Sequence, residues 1–447
     1  MWGEKPYTRP AITVPPAWQK QNTGTGYLAN ANHWWDAFGD PRLSSLISQV
    51  LTVNNDLAKA GIQLKLAQTQ AGLTRTNLTP DASANANANN NKNIKDGSAA
   101  RESYSAAFSL SYELDLWGKL ARTREQAQWQ VNATEQDKQA TALTLIGQTA
   151  QLYWQIASQN QQIVNQQRSL EIAKETLTLT HHRYATGAVT QMDVIQAEQS
   201  VISRENTLRD LQTQREEARN TLAVLFNRPP SYRVSESKGM PERVAVPVAS
   251  RLPVEMIAQR PDVQAAEWRL RAALVGSDVA RLSFYPTLSL SAGLNAGSAI
   301  FDKWFSEPTR GLGSSVALPF IEWNKVQLTI EQSDLQAQQA EIEFRDSAYR
   351  ALSEVDTAMA KRLNAEQQLA SLERDFTLSQ QRLTLATQRY DAGAIDFQEL
   401  LDAQDALLAS QNALLTQQYN YLFATMQLWL ALGGGNTPST DRKLTHE

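Results

Sequence analysis

The chain has 447 residues, with 42 lysines and arginines against 46 aspartates and glutamates, and a formal net charge of −4. This balance leaves no basic surface for binding nucleic acid. The absence of cysteine excludes disulfides and cysteine-ligated metal sites. The sequence holds no run of 18 apolar residues, so we expect no membrane-spanning helix.

The sequence repeats itself 206 residues later, without a gap, over most of its length. Residues 183–189, with the sequence RYATGAV, return as residues 389–395, RYDAGAI, and Trp117 returns as Trp323. An ungapped repeat of this length indicates the tandem duplication of one structural unit, in which even the loops keep their length.

The repeat divides the chain into five predicted regions. In chain order they are an N-terminal segment over 1–42, a first repeat over 43–227, a linker over 228–253, a second repeat over 254–433 and a polar tail over 434–447. Each repeat is predicted to contain short helices, two strands, a long helix, a tight hairpin turn and a returning helix.

The short helices that begin the repeats are predicted over residues 42–77 and 253–282. Residues 54–56 and 260–262 are points where these helices can be interrupted, because they contain asparagine or proline beside aspartate. A short helix from the start of a repeat and one from its end together match the length of the long helix, which predicts a two-layer helical rod.

A two-residue period follows the short helices of each repeat. Leu110 and Tyr112 alternate with polar neighbours, which is typical of a strand with one apolar and one polar face. Similar alternation predicts two pairs of strands, at about 82–116 and 287–322, with the last strand running to Phe320.

Four strands of about ten residues match the height of a transmembrane barrel but cannot close one. An open sheet edge cannot face lipid, because its unpaired backbone groups have no hydrogen-bond partner there. Strands from other chains must therefore complete the barrel, and three chains give twelve strands, an ordinary barrel size. The alternative is a soluble four-stranded sheet on a helical stalk, which would leave its leucine-rich faces uncovered.

Aromatic residues lie where the predicted strands meet the helices, all at one end of the strands. They are Trp117, Trp323, Phe284 and Tyr285. We interpret them as a membrane-interface girdle, which is typical of outer-membrane barrels. The alternative is that they are packing residues at a domain junction.

Each long helix is predicted to end at the repeated Arg-Tyr motif. Residues 119–182 contain no proline and a single glycine, and their composition favours helix. Gly187 and Gly393 can take the left-handed conformation that ends a helix. The returning helices are predicted to begin at once, at Thr190 and Asp396, each followed three residues later by an acid in the spacing of a capping box.

Several features together resemble the TolC-like outer-membrane factors. Besides the strand pair, long helix and Arg-Tyr-x-x-Gly turn of each repeat, they are Pro6-Tyr7-x-x-Pro10, Tyr285-Pro286 before a strand, and Ala431-Leu432-Gly433-Gly434-Gly435. The resemblance covers roughly residues 6–435, and the closest branch looks like the lipoproteins of resistance-nodulation-division efflux systems. It implies an α+β membrane protein, a trimer with one 12-stranded outer-membrane β-barrel continuous with a long α-helical periplasmic tunnel.

The start of the chain departs from the lipoprotein pattern. Lipoprotein members begin with an acylated cysteine shortly before such a Pro-Tyr-x-x-Pro segment, whereas the first residue here is Met1. We expect that Met1 replaces this cysteine, that the export signal has been removed, and that the native lipid anchor is absent from this chain.

The resemblance also implies where the channel narrows. Glu399 and Asp402 match the acidic positions that constrict the pore, so three chains would form two acidic rings. Tyr390 matches the gate tyrosine, with Asp193 on the other hairpin as its hydrogen-bond partner. Ile395 stands where the family's best-known gate has an arginine, so we expect a more apolar closure. The alternative is that both acids are helix N-terminal residues favoured by the helix dipole.

The turn residues are the expected contacts for helical hairpins of a periplasmic adaptor. They are Gly187, Ala188, Val189, Gly393 and Ala394.

The sequence as a whole predicts a passive exit duct, which passes small molecules from an inner-membrane pump and a periplasmic adaptor to the exterior. The expected setting is the bacterial outer membrane, with the homotrimer in contact with outer-membrane lipid and its tunnel in the periplasm. We expect no catalytic activity, cofactor, metal or nucleic acid. The alternatives are a protein-secretion duct of a type I system and a trimeric coiled-coil scaffold without a pore.

Overall fold

The computed structural model of the protein describes residues 6–13, 33–241 and 255–434. Its helices and strands, in chain order, are α1 (Pro41–Val53), α2 (Asn55–Arg75), β1 (Asp81–Asn91), β2 (Arg101–Leu114), α3 (Lys119–Ala185), α4 (Gln191–Leu225), α5 (Glu255–Ala258), α6 (Pro261–Leu282), β3 (Thr287–Ser298), β4 (Thr309–Ala317), α7 (Trp323–Asp391) and α8 (Phe397–Ala431). Short 3₁₀ helices occupy Trp34–Phe38, Thr76–Leu78, Phe301–Lys303 and Pro319–Ile321. None of the described helices has a stretch long and apolar enough to span a membrane.

The two repeats have the same elements at equivalent positions. The returning helices α4 and α8 begin and end at residues that lie 206 apart, and each has 35 residues. The long helices α3 and α7 have 67 and 69 residues. The described residues group into two compact units: the first contains Gly61–Asp137 and Asp262–Ser347, and the second contains Lys138–Pro261 and most of the chain after Ala348.

The first unit contains one antiparallel sheet with the strand order β1-β2-β3-β4. The register places Ala82, Leu110, Ala292 and Leu312 in one cross-strand row. Because side chains alternate between faces, the even-numbered residues of these strands form one face, mostly apolar, and the odd-numbered residues form the other, which is rich in serine, asparagine and glycine.

The last strand is shorter than the sequence predicts. β4 ends at Ala317, and Pro319–Ile321 form a 3₁₀ helix, so Phe320 lies outside the sheet. Proline has no backbone N–H to donate to a neighbouring strand, which explains why the ladder stops before Pro319. The first strand pair, predicted at about 82–116, spans residues 81–114, and β3 begins at Thr287 as predicted.

The helical part of the first unit binds the start of the chain through Glu267 on α6. The Tyr7 hydroxyl donates to Glu267 at 3.1 Å, and Arg9 donates two hydrogen bonds to the same carboxylate. The Arg271 guanidinium lies over the rings of Tyr7 and Trp268, 4.3 and 4.9 Å from their centroids. Burial, reinforced by the charge of Glu267, raises the pKa of Tyr7 to about 12.

The second unit has its main hydrophobic core where α1 packs with parts of α3, α4 and α8. Trp34 stacks on Trp429 with ring centroids 5.6 Å apart, and Trp154 is buried beside Phe38. Gly147 is the one glycine of α3, and a Cβ there would lie 2.5 Å from the Leu430 side chain. The close approach of α3 and α8 therefore explains this glycine.

Candidate functional site

The two hairpin turns of the second unit have nearly identical backbones. Gly187 and Gly393 have φ angles of 75° and 72°, in the left-handed region that favours glycine. In the first turn the Ala188 N–H donates to the Arg183 carbonyl at 2.8 Å, and in the second turn Ala394 makes the equivalent bond at the same distance. These bonds satisfy carbonyls that the ends of α3 and α7 would otherwise leave without partners.

The returning helices begin as predicted, but only one of them has a side-chain cap. The Asp396 carboxylate accepts a hydrogen bond from the Glu399 backbone N–H at 3.0 Å. Thr190, at the equivalent position before α4, makes no side-chain cap bond. In the second hairpin Asp396 therefore makes the cap bond that the spacing predicts, whereas in the first hairpin Thr190 does not.

The turn end of the second hairpin carries a hydrophobic cluster. Its buried members are Ala197, Ala386, Phe397, Leu400, Leu401 and Ala403, and Leu177, Leu383, Tyr390 and Ile395 pack against them. Two of the members, Leu177 and Ala197, come from the first hairpin. The cluster therefore joins the two hairpins near their turns.

Tyr390 belongs to this cluster through its ring. The ring centroid lies 5.8 Å from that of Phe397, and the Arg183 guanidinium carbon lies 5.4 Å above the ring. Among the described residues, no hydrogen bond joins the Tyr390 hydroxyl to Asp193. The contacts of Tyr390 within one chain are therefore with Arg183 and Phe397, which the sequence did not identify.

A second contact between the hairpins lies farther along the returning helices. Arg204 of α4 is only 6% exposed, and its guanidinium donates to the Asp405 carboxylate of α8 at 2.9 Å. Gln166 of α3 donates to the Arg204 carbonyl at 3.1 Å. Long-range partners of this kind leave no periodic signal, and the sequence did not predict them.

The predicted constriction acids lie in the first two turns of α8. Glu399 and Asp402 are exposed, and Asp402 accepts a hydrogen bond from Gln398 at 2.7 Å. Asp193 is partly exposed and is the repeat equivalent of Glu399, whereas the equivalent of Asp402 is Gln196. The second hairpin thus carries two acids where the first carries one.

The predicted adaptor-contact residues are accessible. Gly187, Ala188, Gly393 and Ala394 are exposed, and Val189 is partly exposed. A Cβ added to either glycine would meet no neighbouring atom, so the positive φ alone accounts for glycine at these positions.

Two of the predicted interface aromatics are in contact in the first unit. The Trp117 indole N–H donates to the Pro286 carbonyl at 2.8 Å, and its ring centroid lies 5.3 Å from that of Tyr285. Trp323 is 63% exposed, and Phe284 is partly buried. Trp117, Tyr285 and Trp323 are exposed in the single chain at the strand–helix junctions, and their role in a membrane-interface girdle stays a prediction.

Comparison with known proteins identifies the family. The family model described as outer membrane efflux protein matches residues 46–228 and 252–434. Toxin and drug export protein A of Aggregatibacter actinomycetemcomitans is 30% identical over 90% of this chain and 88% of its own. The pyoverdine export outer membrane protein OpmQ of Pseudomonas aeruginosa is 30% identical over 95% of this chain and 92% of its own.

Solved structures give the same result. A crystal structure of CusC aligns with a TM-score of 0.84 at 25% identity, covering 96% of this chain and 98% of the other. The outer-membrane channel OprN aligns equally well over the same shares. The predicted fold class, a trimeric 12-stranded barrel with an α-helical tunnel, and the outer-membrane location are confirmed. The chain belongs to the outer membrane efflux protein family.

Proposed function

We propose that this chain is the passive exit duct of a tripartite efflux system, and that the turn ends of its hairpins form both the constriction and the docking surface for the adaptor. An inner-membrane pump supplies the direction of transport, and the duct binds no cofactor. Membership of a family of outer-membrane channels supports the role of duct. The matched relatives are named for export of toxins and drugs, of pyoverdine and of cations, so the proposed cargo is drugs or other toxic small molecules.

The observation that carries the proposal is the exposed acidic pair beside the second turn. Glu399 and Asp402 lie on one face of α8, and the Asp396 cap fixes the start of that helix. In the trimer each acid occurs once in every chain, which gathers carboxylates around a narrow opening. Charge acts more strongly there than on an open surface, because less water screens it.

Ion selectivity in planar bilayers tests this role. We expect the double variant Glu399→Gln with Asp402→Asn to lose cation preference, measured as the reversal potential in a salt gradient, and to lose block by a trivalent cation added from the periplasmic side. The control variant, Glu366→Gln with Asp375→Asn, removes the same charge from exposed positions of α7 and should keep both properties. Equal reversal potentials in the wild type and the first double variant would place these acids outside the constriction.

We propose that Tyr390, Asp193 and Ile395 hold the resting duct closed. The ring of Tyr390 packs against Phe397 and Arg183, and Ile395 packs in the same cluster, which supports a largely apolar closure. The hydroxyl of Tyr390 contributes only if the closed trimer brings Asp193 within hydrogen-bond distance.

Single-channel conductance separates the two contributions to closure. Tyr390→Ala should raise the conductance, since it removes the ring contacts. Tyr390→Phe keeps the shape of the side chain and should raise the conductance only if the hydroxyl–carboxylate bond exists in the trimer. Wild-type conductance in Tyr390→Ala would show that Tyr390 packs between the helices without contributing to closure.

We also propose that the exposed turns are the adaptor contact. Gly187 and Gly393 have no side chains and are exposed at the tips, which leaves the backbone open to a partner helix hairpin. Replacing Ala188 and Ala394 together with Asp should abolish cross-linking to the cognate adaptor while leaving conductance in bilayers unchanged. Unchanged cross-linking would move the adaptor contact away from the turns.

A further inference from the structure

An aromatic cluster lies at the end of the sheet opposite Trp117. It consists of Tyr104 at the β2 end and Phe301 and Trp304 in the β3–β4 connection, with ring centroids 5.2 to 5.8 Å apart. Phe305 stacks on Trp304 at 5.6 Å and is 68% exposed. Because aromatic rings collect at both edges of the apolar band of a barrel, this cluster marks the outer edge of the band.

A groove runs across the apolar face just below this cluster. Its floor is a cross-strand row of three alanines, Ala86, Ala106 and Ala296. The next row toward the other end of the sheet contains the larger Phe108 and Leu294, and Phe305 and Pro308 complete the lining on the loop side. The groove is open on one side and has a volume of about 450 Å³, within the range of small-molecule sites.

One cation lies beside the groove on the same face. Arg310 of β4 is the cross-strand partner of Leu294, so neighbouring backbones place it next to the groove wall. Its side chain is exposed and makes no ion pair within the described part of the chain. A charged side chain on the lipid-facing side of a barrel is costly unless it meets a polar partner, and the membrane supplies one only at a headgroup.

The acids near this end do not neutralise Arg310. Glu102 accepts a hydrogen bond from the Tyr104 hydroxyl at 3.0 Å. In the strand register Glu102 lies on the far side of Tyr104 from the row that contains Arg310. Asp302 and Glu307 lie in the connecting loop and form no ion pair among the described residues.

We propose that this groove is a binding site for a phosphorylated glycolipid of the outer leaflet. One acyl chain lies on the alanine row beneath Phe305, and a headgroup phosphate accepts hydrogen bonds from Arg310. The apolar lining matches an acyl chain, and the guanidinium of Arg310, the second residue of β4 after the β3–β4 connection, matches a phosphate of the headgroup. The proposal rests on the outer-membrane location and is independent of the gate.

Native mass spectrometry of the detergent-purified trimer tests the site, with diphosphoryl lipid A as the probe. Ala86→Phe fills the groove and should abolish retention of the probe. Ala82→Phe is the matched control, because it lies on the same strand and the same face, four residues away and outside the groove, and it should retain the probe. The mass of the intact trimer in each spectrum shows that both variants assemble.

A second pair of variants tests the contact between Arg310 and the phosphate. Arg310→Gln should weaken binding of diphosphoryl lipid A about fivefold and leave binding of the dephosphorylated lipid unchanged. Arg101→Gln removes the same charge from the polar face and should bind like the wild type.

Three results would overturn the proposal. Undiminished retention by Ala86→Phe would show that the groove is not the acyl site. Equal weakening of both lipids by Arg310→Gln would exclude a phosphate contact. Equal retention of phosphatidylglycerol and lipid A by the wild type would show general contact with anionic lipid in place of a glycolipid site.

Discussion

The turn ends of the two hairpins share one backbone and differ in their side chains. Tyr184 is 47% exposed, whereas its equivalent Tyr390 packs in the cluster that joins the hairpins. Ile195 is 44% exposed, whereas its equivalent Leu401 is buried. The two copies therefore keep the same turn backbone, whereas the packing of equivalent side chains around each turn differs. The second hairpin packs on the first within one chain, and we infer that the exposed apolar residues of the first pack against a neighbouring chain of the trimer.

The largest effect should come from Phe397, the buried centre of the cluster. Phe397→Ala leaves a cavity and should lower the local opening free energy of the second turn by about 3 kcal/mol. Its repeat equivalent is the exposed Gln191, and Gln191→Ala should cost less than about 0.5 kcal/mol. Hydrogen exchange of the turn amides measures both.

Comparing these two variants tests whether the second turn depends on a buried side chain that the first turn lacks. Faster exchange in the second turn of Phe397→Ala, with the first turn of Gln191→Ala unchanged, supports the comparison. Similar protection in the two variants would show that the cluster contributes little to holding the second hairpin.

A smaller effect is expected at the contact between Arg204 and Asp405. Asp405→Asn removes the negative charge from the partner of a buried guanidinium whose Nε already lacks a partner. The carboxylate is itself 60% exposed, so water screens the interaction, and we expect a loss of about 1 to 2 kcal/mol. The change should appear as faster exchange in α8 around residue 405.

The control for this contact lies on the first hairpin. Gln199 is the repeat equivalent of Asp405 and is exposed, so Gln199→Ala should leave exchange in α4 at the wild-type rate. If Asp405→Asn also exchanges like the wild type, the contact between Arg204 and Asp405 does not hold the hairpins together in solution.

The sequence predicted the elements of the fold because their signals are local. The left-handed glycines, the strand alternation and the uninterrupted long helices all follow from short windows, and the ungapped repeat carries each of them over to the second copy. The candidate acids Glu399 and Asp402 were likewise found from their place after the turn.

The contacts between the hairpins were not predicted, because they join residues far apart in the chain. From the sequence alone, Arg204 is one more charged residue on a predicted helix, and its partner Asp405 lies 201 residues away. Nothing in either neighbourhood indicates that the arginine is buried. The same holds for Arg183 over the ring of Tyr390, since the Arg-Tyr motif occurs in both repeats but only the tyrosine of the second is covered by the arginine of the first.

The smallest of the three effects should come from the helix caps. Asp396→Ala removes the carboxylate that accepts from the Glu399 N–H, and losing a cap of this kind costs about 1 kcal/mol. Thr190→Ala removes a hydroxyl that makes no cap bond, so it should cost only a few tenths of a kcal/mol. The pair therefore compares one helix start with its duplicate at the same position.

The measurement is hydrogen exchange at the first turns of α4 and α8, where the uncapped amides report directly on fraying. We expect exchange in α8 to accelerate about fivefold in Asp396→Ala, while α4 in Thr190→Ala stays close to the wild type. Asp396→Asn is the sharpest control, since asparagine is an equally good cap without the charge and should restore most of the protection. Equal acceleration in Asp396→Asn and Asp396→Ala would mean that the charge of Asp396, acting on the helix dipole, matters more than its hydrogen bond.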